Sequence, residues 1–261
     1  MLRFSCSSSF FETVLIDFAS SKGVTSTDQK SIKRIPAWKR ALDLLCVLLA
    51  VPFFVPLFLV IALIIKLVSR GPVFFKQERI GHLGRPFVLL KFRSMKVDSS
   101  SDVHQAYFAS LMKSDAPMTK IDKIGDPRLI PFGRILRSTA LDELPQLLNV
   151  IRGDMSLVGP RPCTPFEFEK YQPWQRKRFN AFPGLTGLWQ VSGKNKTTFN
   201  EMIQLDILYA SSMSLGMDIK ILIRTFPVIF GQVAEMLEKR APRPKPLPTR
   251  LKSPPTPTSV Y

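Results

Sequence analysis

From Leu44 to Ile65 the chain runs for 22 residues without a charge, LLCVLLAVPFFVPLFLVIALII, between Asp43 and Lys66. At about 1.5 Å per residue, a straight helix of that length just crosses a hydrocarbon core of roughly 30 Å. Pro52 and Pro56 stand near its middle, where each removes a backbone donor and crowds the preceding turn, so the helix is expected to kink or break there. Lys33, Arg34, Lys39 and Arg40 precede the run, and Lys66, Arg70, Lys76 and Arg79 follow it. A spanning helix normally carries its positive flank on the cytoplasmic side only. Equal flanks favour a hairpin that dips into one leaflet and returns to the same face, ahead of a kinked spanning helix and a buried core helix.

The formal charge of +17 calls for anionic partners: nucleic acid, an anionic membrane surface or phosphorylated small molecules. Its distribution separates them. Residues 31–100 hold a surplus of nine basic groups, residues 101–238 a surplus of two, and residues 239–261 six basic groups with no acid. A nucleic-acid binder would show its basic stripe on the folded domain, so no nucleic-acid partner is expected. Three cysteines, Cys6, Cys46 and Cys163, are too few and too scattered for a disulfide framework.

Along the chain, residues 1–34 read as a poorly ordered extension without the pattern of a cleaved signal peptide, residues 35–70 as the membrane helix and residues 71–238 as a catalytic domain. Residues 239–261, with seven prolines, read as an extended basic tail. Residues 72–80 and 86–92 predict two strands joined by Gly81-His82-Leu83-Gly84. Residues 98–125 predict a loop, a lid or a short helix. Then come a short helix at 130–137, a helix beginning at Asp142, a strand at Met155–Val158 and a charged helix at 166–179. A turn-rich strand region follows at Pro183–Gly193, then helices at 199–212 and 217–237, the last suited to a core or a membrane interface. The fold class expected is α+β: helix-rich, with a small β-hairpin or sheet.

The chemistry gathers in DPRLIPFGRILRSTALDELPQLLNVIRGDMSLVGPRP. Pro145 is tolerated in a first helical turn, which predicts a helix starting at Asp142 and so a carboxylate at a positive helix end. Adjacent helical residues point about 100° apart, so Asp142 and Glu143 suit two tasks: attack on a phosphorus atom and retention of a divalent cation. The bland alternative is a helix cap beside a first-turn acid. Arg128, Arg134, Arg137, Arg152 and Arg161 cluster nearby among Gly133, Gly153 and Gly159, and arginine forks match phosphate oxygens.

In order along the chain, five features resemble the bacterial sugar transferases that are monotopic polyprenyl-phosphate phosphoglycosyl transferases. They are the basic-flanked hydrophobic helix, GPVFFKQERIGHLGRPFVLLKFRSM, the segment above, PGLTGLWQVSG and DILYASSMSLGMDIKIL. The resemblance covers about Ile35 to Val233. It implies an enzyme of EC 2.7.8 type that moves a phosphosugar from a UDP-sugar to a polyprenyl (undecaprenyl) phosphate through an aspartyl intermediate, releasing UMP. That is a first membrane step in exopolysaccharide, O-antigen or glycoprotein glycan assembly. By the same resemblance Asp142 is the nucleophile, Glu143 helps to bind Mg²⁺, and Arg137 and Arg161 steady phosphates. Lys91, Arg93 and Arg128 are further substrate contacts.

The implied site of action is the cytoplasmic face of a bacterial inner membrane, the partners are the UDP-sugar, the polyprenyl phosphate and phospholipid, and a homodimer is left open. The alternative is a catalytically inactive membrane scaffold for glycan-assembly enzymes. Three departures from the family pattern stand out. Val51 precedes Pro52 where the family often has serine, Cys163 follows the Pro-Arg-Pro motif, and residues 1–34 cannot supply the four-helix region of larger members.

Overall fold

The computed structural model describes residues 34–96, 108–112, 117–118, 128–193 and 197–238. The expected extension before Arg34, most of 98–125 and the basic tail lie outside the described residues. What is described is helix-rich with two small sheets, an α+β arrangement.

Helix α1 (Ala37–Val68) runs unbroken for 32 residues with both prolines inside it. Of the kink or break expected at Pro52 and Pro56, the break is therefore corrected to a continuous helix. Standing four apart, the prolines share one face, so the missing donors and the ring bulk fall on one side while the neighbouring turns keep their bonds. Lys39, Asp43 and Val47 near the start of α1 are buried, as are Ile61 and Ile65 near its end. Between them Leu48 is 68% exposed, Phe53 78% and Leu59 62%. Among the described residues α1 is the one helix long and apolar enough to cross a membrane.

The buried polar residues of α1 explain how its start is held. Lys39 Nζ donates to Asp218 Oδ2 at 2.5 Å and to the Tyr209 hydroxyl at 2.9 Å, and that hydroxyl donates to Asp218 Oδ1 at 2.7 Å. Asp43 Oδ1 accepts from Ser156 Oγ at 3.0 Å and from the Leu157 N–H at 2.9 Å. Arg40 donates to the Val150 and Ile151 carbonyls. Those carbonyls lie in the last turn of a helix, where the negative dipole end favours a cation.

Strands β1 (Phe74–Ile80) and β2 (Pro86–Phe92) form the expected hairpin, antiparallel in the register Phe75↔Lys91 and Gln77↔Leu89. Its two faces bury against different things. Phe74 and Phe92 pack with Phe58 of α1, ring centroids 4.7–5.8 Å apart, in a cluster with Ile61, Ile65 and Leu136. Leu89 joins the main core around Val150, Trp189, Ile203 and Tyr209. The free edge of β2 is closed by a side chain, because Asn149 accepts from the Leu90 N–H at 3.1 Å and donates to the Val88 carbonyl at 2.8 Å. One amide thus mimics a third strand, satisfying a donor and an acceptor of the strand edge together.

Helices α2 (Gly133–Ser138) and α3 (Gln146–Arg152) flank a 3₁₀ turn at Leu141–Glu143. The helix expected to start at Asp142 therefore starts four residues later, with Pro145 as its N-cap. Ala140 at φ 57° turns the chain into i→i+3 bonds, Glu143 N–H to the Ala140 carbonyl at 3.1 Å and Leu144 N–H to Leu141 at 3.3 Å. Strand β3 (Ser156–Val158) pairs in parallel with β4 (Gly184–Thr186). The charged helix expected over 166–179 is two pieces, α4 (Pro165–Lys170) and a 3₁₀ turn at Gln175–Asn180, because Pro173 pushes the residue before it away from helical angles. The turn-rich strand expected at 183–193 is β4 followed by the short helix α5 (Leu188–Val191).

Helix α6 (Phe199–Ser212) opens on a Thr198–Glu201 capping box. It is followed by α7 (Leu215–Glu238).

Close approach governs the β3–β4 junction. A Cβ on Gly184 would lie 2.0 Å from the Gly159 nitrogen, and one on Gly159 would lie 2.1 Å from the Phe182 carbonyl oxygen. Gly184→Ala is expected to lower stability by about 1–3 kcal/mol through forced separation of the strands, read as a fall in the midpoint of thermal unfolding. An unchanged midpoint would contradict the packing described.

Candidate active site

Asp142 and Glu143 sit on the 3₁₀ turn between α2 and α3, facing the end of β2. Lys91, one residue before the end of that strand, donates from Nζ to Glu143 Oε1 at 2.8 Å. Arg161 reaches the same oxygen from the Pro160–Cys163 loop, Nη1 at 3.6 Å. Asp142 is 7% exposed, and burial raises its carboxyl above the ordinary aspartate value, against the opposing pull of Lys91, with Glu143 adding to the rise and Arg137 and Arg161 countering it. Burial likewise pulls the Lys91 ammonium below its usual value, while Glu143 supports its charge. The result is a sheltered carboxylate beside a second carboxylate, ringed by three cations.

Of the residues singled out from the sequence, five therefore converge: Asp142, Glu143, Lys91, Arg137 and Arg161. Arg137 also points Nη1 towards Met95 Sδ at 3.9 Å. Arg128 opens the described segment after residue 127, its carbonyl accepting from the Lys96 N–H at 2.8 Å. Arg93 is turned to a different task. It is buried, and its fork donates to the Arg70 carbonyl at 2.8 Å and the Ser69 carbonyl at 2.9 Å, beyond the last turn of α1. That use of the guanidinium fixes the exit of the apolar helix rather than a phosphate.

Sequence reasoning passed over Arg79. Its guanidinium is disfavoured by burial and by the neighbouring Arg161, and supported by Glu167 and Glu143. The two-residue period of β1 and the hairpin register together place it on the face that carries Lys91, a signal available in the sequence. Cys163 does not face the carboxylates in the manner of a ligand. It is buried in the core, its thiol pushed up to about 12 by burial, and its backbone bridges to Ile80.

Among the described residues no group of three or more His, Cys, Asp or Glu side chains forms a cage for a metal ion. Two adjacent carboxylates are nevertheless the donor set expected for Mg²⁺, which takes one or two carboxylates and completes its shell with water and substrate phosphate oxygens.

A family model described as bacterial sugar transferase matches residues 34–232, which include every residue of this cluster. The chain belongs to the bacterial sugar transferase family. Among its relatives, the exopolysaccharide production protein ExoY of Rhizobium meliloti is 40% identical over 192 residues, covering 73% of this chain and 84% of ExoY. The UDP-glucose:undecaprenyl-phosphate glucose-1-phosphate transferase of Caulobacter vibrioides is 43% identical over 197 residues, covering 72% and 68%. The galactosyl transferase CpsE of Streptococcus agalactiae is 44% identical over 160 residues, which cover 61% of this chain and 35% of CpsE. The chain thus spans about a third of CpsE and most of ExoY. As a bacterial sugar transferase it carries its apolar helix inside the matched region, since α1 begins at Ala37.

Proposed function

We propose that this sugar transferase moves a sugar phosphate from a UDP-sugar to a polyprenyl phosphate at a membrane surface, with Asp142 as nucleophile. The observation that carries the reading is the sheltered Asp142 carboxylate set among Lys91, Arg137 and Arg161. An Asp142 oxygen attacks the β-phosphorus, forming a P–O bond as the bond to the bridging oxygen breaks and UMP departs with that oxygen. An oxygen of the polyprenyl phosphate then attacks the same phosphorus and frees the carboxylate. Arg137 and Arg161 hold the diphosphate oxygens, and Lys91 holds Glu143 while lending charge to the site. Glu143, with Asp142 beside it, would hold Mg²⁺, which when bound neutralises charge building on the phosphate oxygens.

Membrane attachment by re-entry is supported by where α1 is docked. Lys39 and Asp43 near one end and Ile61 and Ile65 near the other are buried against the folded body, which favours both ends lying on one side of a bilayer. The exposed middle is the part left to enter lipid. Helix α7 adds an exposed apolar stripe, Ile219, Ile223, Phe226 and Phe230, with Lys220 and Arg224 on the same helix. That pattern suits the headgroup boundary of an anionic leaflet. A carrier phosphate at headgroup level and a soluble nucleotide sugar would meet there, on the cytoplasmic face of a bacterial inner membrane.

The test is UMP release from a panel of UDP-sugars with the full chain in membranes, polyprenyl phosphate and Mg²⁺. Release from at least one donor, dependent on Mg²⁺, is expected. No release from any donor would refute the reading in favour of a scaffold without catalysis.

A further inference from the structure

Four consecutive carbonyls of the loop that carries Arg161 are held by donors from three parts of the fold: β4, the 3₁₀ turn at Gln175–Asn180, and two adjacent residues of β1. Pro160 accepts from the Gly184 N–H at 2.9 Å, Arg161 from Arg178 Nη2 at 2.8 Å, Pro162 from Arg79 Nη1 at 3.4 Å, and Cys163 from the Ile80 N–H at 2.8 Å. Two of these four residues are prolines without an N–H, so the segment cannot pair as a strand on its own account and must be held from outside. Three of the holds are a backbone amide of β4, a backbone amide of β1 and a fully buried guanidinium. Arg79 is the fourth, and it is aimed by Gln77, whose Oε1 accepts from Nε at 3.1 Å and from Nη2 at 2.7 Å.

Gln77, Arg79 and Lys91 share one face of the hairpin, because residues two apart and residues directly paired point the same way. A single rigid face therefore delivers Lys91 to Glu143 and Arg79 to the backbone behind Arg161. Arg161 needs such support. Its side chain is 37% exposed and 3.6 Å from Glu143, and a long, rotamer-rich side chain holds a phosphate well only if its own backbone is fixed.

We propose that Arg79 is a positioning residue that acts through Arg161, with Gln77 aiming it. The inference rests on the sugar-phosphate transfer reading above. Its test measures kcat and donor KM for the wild type, Arg79→Met, Gln77→Met, Arg161→Met and the Arg79→Met/Arg161→Met pair, using full chain in membranes and a UDP-sugar. Arg79→Met and Gln77→Met are each expected to lower kcat/KM by about tenfold, the size of coupling between residues in one network. The pair is expected to be no worse than Arg161→Met alone.

Losses that multiply in the pair would overturn the proposal, since Arg79 would then act independently of Arg161. Gln77→Met leaves both guanidinium charges in place, so it decides the matter if Arg79→Met fails to fold, and an unchanged kcat/KM there also overturns it. Amide exchange at Ile80 reads the clamp without catalysis and is expected to quicken in Arg79→Met; no change counts against the clamp. A wild type that releases no UMP would refute the transferase reading, while the exchange result still decides the clamp.

Discussion

Asp142→Asn is expected to abolish transfer, with a loss on the order of 10⁴-fold or more in kcat, the scale seen when a nucleophile is removed from a site that otherwise stays intact. The substitution keeps the shape of the side chain and removes only the anionic oxygen that would bond to phosphorus. Because burial already disfavours the charge of Asp142, its removal should leave thermal stability unchanged or raise it. Activity and stability are then expected to move apart, which separates a lost nucleophile from a damaged fold. Mass spectrometry of protein quenched with UDP-sugar alone should find a phosphosugar adduct on the wild type and none on the variant. Full turnover by Asp142→Asn would end the assignment.

The second large effect concerns stability. Arg178 and Asp206 are both almost fully buried and pair at 2.5 Å, with Tyr171 and the Arg161 carbonyl taking further guanidinium bonds at 2.7 and 2.8 Å. Arg178→Met strands a buried carboxylate and is expected to cost about 3–5 kcal/mol. For a chain of this size that lowers the unfolding midpoint by on the order of 10 °C. Burial puts Asp206 at about 6 even with Arg178 beside it, and loss of that partner raises it further. A carboxyl whose folded value lies above its unfolded value costs stability as pH rises between the two. The deficit of Arg178→Met should accordingly be larger at pH 8 than at pH 5. Arg178→Met combined with Asp206→Leu should recover part of the loss, and failure to recover any would argue that the guanidinium matters through the loop rather than through its counter-ion.

What the sequence made legible was local. The uncharged run, the hairpin with its glycine-bounded turn and the helix over 199–212 each depend on residues within a few positions, and each stands where its pattern places it. The convergence of Lys91, Arg137 and Arg161 on Asp142 and Glu143 was legible through resemblance, since their separations in the chain carry no distance. The 3₁₀ turn was missed because a proline at position 145 serves an N-cap as well as a first turn, and only the left-handed Ala140 decides between them. The contacts of Arg93 were not legible either, because an arginine fork fits two backbone carbonyls as well as it fits phosphate. Asp206, Tyr209 and Asp218 read as parts of a helical pattern, and their partners stand far away in the chain.

The hold on Lys39 sets an order of events. Tyr209 lies 170 positions after it and Asp218 lies 179. A ribosome making roughly 5–20 residues each second delivers those partners many seconds after the apolar helix has emerged. During that interval the lysine has neither its counter-ion nor its phenol and can remain in water, so the helix is free to find lipid before the body closes on it. Completion of α7 then draws the ammonium inside, so this hold on the apolar helix closes after those that Arg40 and Asp43 make with residues 150–157.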